Sequence, residues 1–252
     1  MTDAGKVTIT KRSGIAEVTF FHPKSNSLPG QLLADIAEAV DRCGQDSEVR
    51  VVVLRSEGDR AFCAGASFEE LLSIQDPVAG KAFFMGFARL ILAMRACPKF
   101  VIARIQGKAV GGGVGVAAAA DYALARDTAA IKLSELAIGF GPFVIGPAVA
   151  RKVGQAAFAT LTIDTAWRDA NWAKEKGLYV DVFPSLEALD EAVASLADKL
   201  SGYNLEAMAA LKKIMFEGTG DWPRLLEERA EYSGRLVLSE FTSKAIHAFG
   251  KR

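Results

Sequence analysis

The chain has 252 residues, and its 30 Lys+Arg balance its 30 Asp+Glu, so the formal net charge is zero. Apolar residues make up 50% and charged residues 24%, the mix of a globular protein long enough to bury a core without disulfide or metal staples. A neutral balance excludes a broad electrostatic grip on nucleic acid or an anionic membrane surface, so neither is expected as a partner, and only a local basic pocket is left open.

Residues 7–10 and 16–20 alternate apolar and polar side chains around Ser13-Gly14, which predicts a β-hairpin. His22-Pro23-Lys24-Ser25-Asn26 breaks that pattern, and from Pro29 Leu32, Ile36 and Val40 fall on one face of a predicted helix. Val51-Val52-Val53-Leu54 is a continuous apolar strand of the kind covered on both faces in a parallel sheet. A glycine-containing loop leads into a predicted helix over 68–95, and Phe100-Val101-Ile102-Ala103 is the next buried strand. Beyond residue 143 helices dominate, over 143–153, 155–161, 186–200, 205–216, 222–238 and 240–249, with one short strand at 178–183. Strands separated by helices imply β-α crossovers and a layered α/β core, followed by a helical C-terminal part.

Cys43, Cys63 and Cys97 are odd in number and share no metal-ligand spacing, so they read as reduced thiols of a cytoplasmic protein. The first residues carry no apolar run and are not read as a signal peptide. Apolar stretches are interrupted by Lys, Arg or Gly before the ~20 residues of a membrane span. The only two histidines, His22 and His247, stand at opposite ends, which argues against an imidazole-built zinc site and a Ser-His-Asp triad. Chemistry is therefore left to carboxylates, backbone amides or a bound cofactor.

Two small-residue loops offer such amides. Arg60-Ala61-Phe62-Cys63-Ala64-Gly65-Ala66-Ser67 and Gly111-Gly112-Gly113-Val114-Gly115 each follow a buried strand and precede helix-compatible sequence. A helix start leaves N–H groups without partners, and two such loops could converge on one oxygen and hold it as an oxyanion. No Lys-Ser/Thr follows the second loop, and its glycine spacing is not G-x-G-x-x-G, so a P-loop and a dinucleotide fold are both unlike it.

The segment from Ala61 to Ser67, followed about 45 residues later by Gln106-Gly107-Lys108-Ala109-Val110-Gly111-Gly112-Gly113, resembles the enoyl-CoA hydratase/isomerase (crotonase) family. His22 to Leu28 resembles that family's N-terminal loop on the coenzyme A side, Ala120-Asp121 its Asp-bearing strand, and Ser134-Glu135 its Glu segment. The resemblance spans nearly the whole chain. It implies a crotonase-like spiral of ββα units, with residues 1–195 as the α/β core and 196–252 as a helical segment for self-association into a homotrimer or hexamer. It implies an acyl-CoA thioester as substrate, with no separate cofactor and no metal. By the same resemblance, the amides of Ala66 and Gly112 hold the thioester oxygen, and Lys24, Ala64, Gly65 and Ala66 receive coenzyme A. Phe140 and Phe143 line the acyl pocket, together with apolar residues of the 77–95 helix.

Two-carboxylate hydratases of the family place one Glu two residues after Gly-Gly-Gly and another about 20 residues later. Here the first position is Gly115 and the second is Glu135. If Glu135 lines an apolar pocket, desolvation raises its pKa toward the range useful for proton transfer. One carboxylate is compatible with hydration of a 2-enoyl thioester or with isomerisation of a 3-enoyl thioester. The loop from Ile138 to Pro147 looks more like that of branched-chain, methylglutaconyl-CoA-type hydratases, which places hydration first. Isomerase, decarboxylase and weakly catalytic acyl-CoA-binding readings stand behind it. Asp121 reads as structural, Trp167, Trp172 and Trp222 as core or interface anchors, and Lys244, Lys251 and Arg252 as a solvated terminal charge cluster.

Overall fold

Alternation along the N-terminal segment resolves into the hairpin β1 (Lys6–Arg12) and β2 (Ile15–Phe21), paired antiparallel around Ser13-Gly14. The computed structural model describes residues 5–249. β2 then pairs in parallel with β3 (Val51–Ser56), which pairs with β5 (Phe100–Ile105). β7 (Tyr122–Arg126) and β9 (Asp181–Phe183) complete a six-stranded sheet in the order β1-β2-β3-β5-β7-β9. A second, parallel sheet is formed by the short strands β4 (Ala61–Cys63), β6 (Lys108–Val110) and β8 (Ile131–Lys132).

Three times the chain runs through one strand of the large sheet, one of the small sheet, and then helical structure, which is the expected ββα spiral. After β4 come α2 (Phe68–Ser73) and α3 (Pro77–Ala96), and after β6 comes α4 (Gly112–Ala119). After β8 come a 3-10 turn (Leu136–Ile138) and α5 (Gly146–Ile163). The large sheet is covered on both faces, as the run of valines in β3 requires. Val52 and Leu54 join the main core, whereas Val51 and Val53 pack with Leu189, Val193 and Ala197 of α7 (Leu186–Ser201) on the opposite side. α1 (Gly30–Gln45) buries Leu32, Ile36 and Val40 as its periodicity predicts.

Several boundaries differ from expectation. The helix expected over 68–95 is two helices, because Asp76 caps α3 by accepting from the N–H groups of Val78 and Ala79 (2.8 and 2.9 Å), with Pro77 at the first helical position. The expected 143–153 and 155–161 helices are one element, α5, broken at Gly154 (φ 78°). The strand expected at 178–183 is formed only by β9. α6 (Ala170–Glu175) lies in a stretch where no element is expected from sequence. α3 is also an unbroken 20-residue helix, long and apolar enough by composition to cross a membrane, which the sequence reading does not anticipate. It is packed between α1 and α9 (Trp222–Leu236). Contact with α9 is close because a Cβ on Gly80 would stand 2.5 Å from the Gly234 carbonyl oxygen.

The C-terminal part comprises α8 (Leu205–Met215), α9 and α10 (Glu240–Phe249). Residue 195 falls inside α7, which packs on the large sheet. One buried cation ties this part to the core. Lys212 of α8 donates to the carbonyls of Met94 and Lys99 (2.8 and 2.9 Å) and to Asp121 Oδ2 (2.7 Å), which also accepts from the Val101 N–H at 2.7 Å. Asp121 is thus a structural hub.

Candidate active site

The first loop is held by backbone hydrogen bonds to the 25–28 segment. Leu28 N–H donates to the Gly65 carbonyl (2.8 Å), Ala64 N–H to the Ser25 carbonyl (3.1 Å) and Ser67 N–H to the Leu28 carbonyl (3.3 Å). The Ala66 N–H has no acceptor among the described residues. Gly65 has φ 90°, and a Cβ there would stand 2.9 Å from the Val110 carbonyl oxygen, so both the left-handed backbone and the close approach require glycine. Ser67 caps α2, its Oγ accepting from the Glu70 N–H at 3.4 Å.

The second loop meets the first at that point. Gly111 (φ 51°) donates to the Lys132 carbonyl (2.8 Å), and Gly112 opens α4 with an N–H that no described residue accepts. The Cβ position of Gly65 lies 3.7 Å from the Gly112 nitrogen, which brings the two free-amide loops side by side. A Cβ on Gly112 would fall 2.1 Å from a ring carbon of Phe87, so no side chain fits there.

Glu135 precedes the 3-10 turn, and its carbonyl accepts from the N–H groups of Ile138 and Phe140, both at 3.1 Å. This folds the carboxyl inward, close over Gly111, whose Cβ position is 2.8 Å from Glu135 Oε1. Glu135 is only 7% exposed, and its Oε2 has no partner among the described residues. Burial pushes its pKa up to about 7, against a smaller opposing pull from its own and the Ser134 backbone amides.

Ala64, Gly65, Ala66, Gly112, Glu135, Phe140 and Phe143 all line one cavity of about 530 Å³ including its mouth. Phe84 and Phe87 of α3 add to its apolar wall, as expected of the 77–95 segment, and Ser233 of α9 closes it from the C-terminal side. Lys24 is not brought to this cavity; it is half-exposed and paired with Glu69. His22 is buried outside the cavity, with Nδ1 3.0 Å from Ser27 Oγ. Trp222 packs against Phe216 in the core and Trp172 packs at its edge. Trp167 is exposed, with the Lys108 and Lys132 ammonium groups 5.0 and 5.8 Å from its ring centre. His247 is exposed on α10, Lys244 pairs with Glu240, and Lys251 and Arg252 lie outside the described residues. Cys43, Cys63 and Cys97 are free and buried.

Sequence reasoning missed one residue of consequence. Ile145 lines the cavity, and its Cγ2 and Cβ lie 2.4 and 2.6 Å from where a Cβ on Gly115 would be. The position at which two-carboxylate relatives carry their first Glu is therefore filled by a branched apolar side chain. A carboxyl at 115 has no room in this cavity.

A buried carboxyl, two amides on adjacent loops with no acceptor among the described residues, and an apolar cavity walled by α3 and the 138–145 segment form a site able to stabilise and reprotonate an enolate. The enoyl-CoA hydratase/isomerase family model matches residues 10–248. The chain therefore belongs to the enoyl-CoA hydratase/isomerase family, and its members are enzymes. It is 30% identical over 253 residues to the (E)-benzylidenesuccinyl-CoA hydratase of Thauera aromatica, covering 98% of this chain and 96% of the relative. It is also 30% identical over 208 residues, 82% of each chain, to the (7aS)-7a-methyl-1,5-dioxo-2,3,5,6,7,7a-hexahydro-1H-indene-carboxyl-CoA hydrolase of Mycobacterium tuberculosis (strain ATCC 25618 / H37Rv). In fold it is similar to the crystal structure of an enoyl-CoA hydratase from Bacillus halodurans, with a TM-score of 0.89 at 22% identity, over 96% of this chain and 99% of that one.

Proposed function

We propose that the protein moves the double bond of a 3-enoyl-CoA thioester into conjugation, with Glu135 as the only proton carrier. Its carboxylate takes a proton from C2, breaking that C–H bond, and the electrons pass onto the thioester oxygen between the Ala66 and Gly112 amides. The same carboxyl then returns the proton to C4, giving the 2-enoyl thioester. No water is consumed and no second acid is needed. The observation that carries this reading is Ile145 in the place of a second carboxylate, because activating water for addition at C3 is favoured by a polar group opposite Glu135. The side-by-side amides fit an oxygen that gains charge only along the reaction.

Hydration of a 2-enoyl thioester is the second reading. It is supported by the activity named for the Thauera aromatica relative and by Glu135 Oε2, which has no partner among the described residues. Incubating the protein with 3-hexenoyl-CoA and with crotonyl-CoA separates the two. The expected outcome is conjugation of the first without gain of water, abolished by Glu135→Gln. Conversion of crotonyl-CoA to its 3-hydroxy product, with 3-hexenoyl-CoA left unchanged, would overturn the isomerase reading in favour of hydration. Assembly into trimers or hexamers through the helical C-terminal part belongs to the same proposal, and sedimentation of the purified chain tests it.

A further inference from the structure

The buried face of α9 runs through Trp222, Leu226, Ala230, Ser233 and Gly234, so one hydroxyl interrupts an otherwise apolar stripe. Ser233 is 1% exposed and lines the cavity that holds Glu135. Packing within the chain fixes its position. A Cβ on Gly234 would stand 2.4 Å from the Lys81 nitrogen, so the backbones of α3 and α9 touch at the very next residue. Lys81 also pairs with Glu227 and Glu231 of α9, at 2.8 and 2.6 Å.

The hydroxyl is only loosely occupied. Ser233 Oγ donates to the Arg229 carbonyl one turn back at 3.2 Å, beyond the ~2.7–2.8 Å usual for a hydroxyl donor, and it accepts from no group among the described residues. A half-used hydroxyl in an apolar wall is costly, and a ligand oxygen in the cavity would offset that cost. Among the described residues that line the cavity, the polar side chains are Ser134, Glu135 and Ser233. Ser134 adjoins Glu135 in sequence, so Ser233 is the polar group that a separate element offers to the rest of the ligand. No Lys, Arg or His is among these lining residues. A second carboxylate would therefore share an apolar space with Glu135, walled by rings such as Phe84, Phe87 and Phe140, and would meet no counter-charge there.

We propose that Ser233 determines specificity, and that the acyl group it reads is uncharged and carries an oxygen, as a ketone or a hydroxyl, beyond the reacting carbons. The Oγ–H turns from the Arg229 carbonyl to donate to a ketone, or stays there while Oγ accepts from a hydroxyl. This rests on the acyl-thioester reading above and adds the chemical class of the acyl group to it.

Binding of saturated acyl-CoAs, which have no double bond to move, tests this without relying on turnover. The full chain is titrated by calorimetry with hexanoyl-, 4-oxohexanoyl-, 5-oxohexanoyl-, 6-hydroxyhexanoyl- and adipoyl-CoA. At least one of the neutral oxygenated chains is expected to bind more tightly than hexanoyl-CoA, by roughly 2–12-fold, the net worth of one neutral hydrogen bond. Adipoyl-CoA, which ends in a carboxylate, is expected to bind at least about tenfold more weakly than hexanoyl-CoA. In Ser233→Ala the Kd ratio between hexanoyl-CoA and the preferred oxygenated chain is expected to fall to about one. Ser233→Cys, a near-isostere whose thiol bonds hydrogen weakly, gives the same test if the alanine variant does not fold. Firm hexanoyl-CoA binding with no gain from any oxygenated chain overturns the Ser233 reading alone. So does a gain that survives the substitution, or adipoyl-CoA binding as tightly as hexanoyl-CoA. Absence of binding for every acyl-CoA overturns the thioester reading as well.

Discussion

Replacing Glu135 by Gln is expected to inactivate the protein while making it more stable, by an amount that depends on pH. The carboxyl titrates at about 7 in the folded chain against an ordinary value of 4.5. Folding therefore favours its protonated form. Below about pH 4.5 both folded and unfolded chains hold the proton, and the group contributes no difference. Between about 4.5 and 7 the unfolded chain releases the proton while the folded chain retains it, so stability falls as pH rises. Above about 7 both are ionised, and the full penalty, about 3 kcal/mol at roughly 1.4 kcal/mol per tenfold, is in place. Glutamine has the same shape and no charge, so its variant escapes that loss.

Urea unfolding of both proteins from pH 4.5 to 8.5 reads this directly. The variant and wild type are expected to match at the acid end and to diverge by about 3 kcal/mol near neutrality, with a gap in Tm of roughly 6–12 °C. The wild-type kcat/KM is expected to rise with pH through a midpoint near 7 and to level off about one unit above it, since proton removal from substrate needs the ionised carboxyl. A stability gap that does not change with pH, or an activity midpoint near 4.5, would refute the reasoning, because either would mean that Glu135 is solvated.

Gly112→Ala is expected to lower kcat by about 10²–10³, the effect of losing one oxyanion donor, because its Cβ would collide with the Phe87 ring and displace the amide; steady-state assays with the folded variant check this. Gly115→Glu is expected to destabilise by at least the ~1–3 kcal/mol typical of overpacking and to add no hydratase activity, since Ile145 fills the space. Combining it with Ile145→Ala is expected to recover part of that stability, measured by urea unfolding. Lys212→Met is expected to cost about 3–5 kcal/mol in the same measurement, because it leaves Asp121 buried without its cation.

How much of the fold was legible follows from element length. Val51 to Leu54 and Phe100 to Ala103 announce central strands because every residue is apolar, and both faces of that sheet are in fact covered. The small sheet escaped notice because its strands are of two or three residues, too few for any period to register. Those strands exist because β6 pairs with both β4 and β8, a long-range fact that no local window contains. Asp76-Pro77 was a stop signal inside an otherwise continuous apolar helix pattern, and the cap it makes is what divides α2 from α3.

The site divides along the same line. Ala66, Gly112 and Glu135 were named through the resemblance of their segments to the enoyl-CoA hydratase/isomerase family; the small residues of both loops fit a close backbone approach, but taken alone they also suit a plain turn, and a lone Glu among apolar neighbours also suits a turn cap. Gly115 was legible only as an absence. Its occupant comes from thirty residues further along, and a branched apolar side chain in the 143–147 stretch looks like any core residue until its Cγ2 is seen 2.4 Å from the Gly115 Cβ position. The glycine and the isoleucine form a complementary pair: either is unremarkable alone, and together they close the place of a second carboxylate. Two-carboxylate chemistry is then two coordinated substitutions away from this chain. A Glu at 115 without a smaller residue at 145 would be overpacked before it could act, so packing as well as the missing acid supports the proposed single-carboxyl path through Glu135.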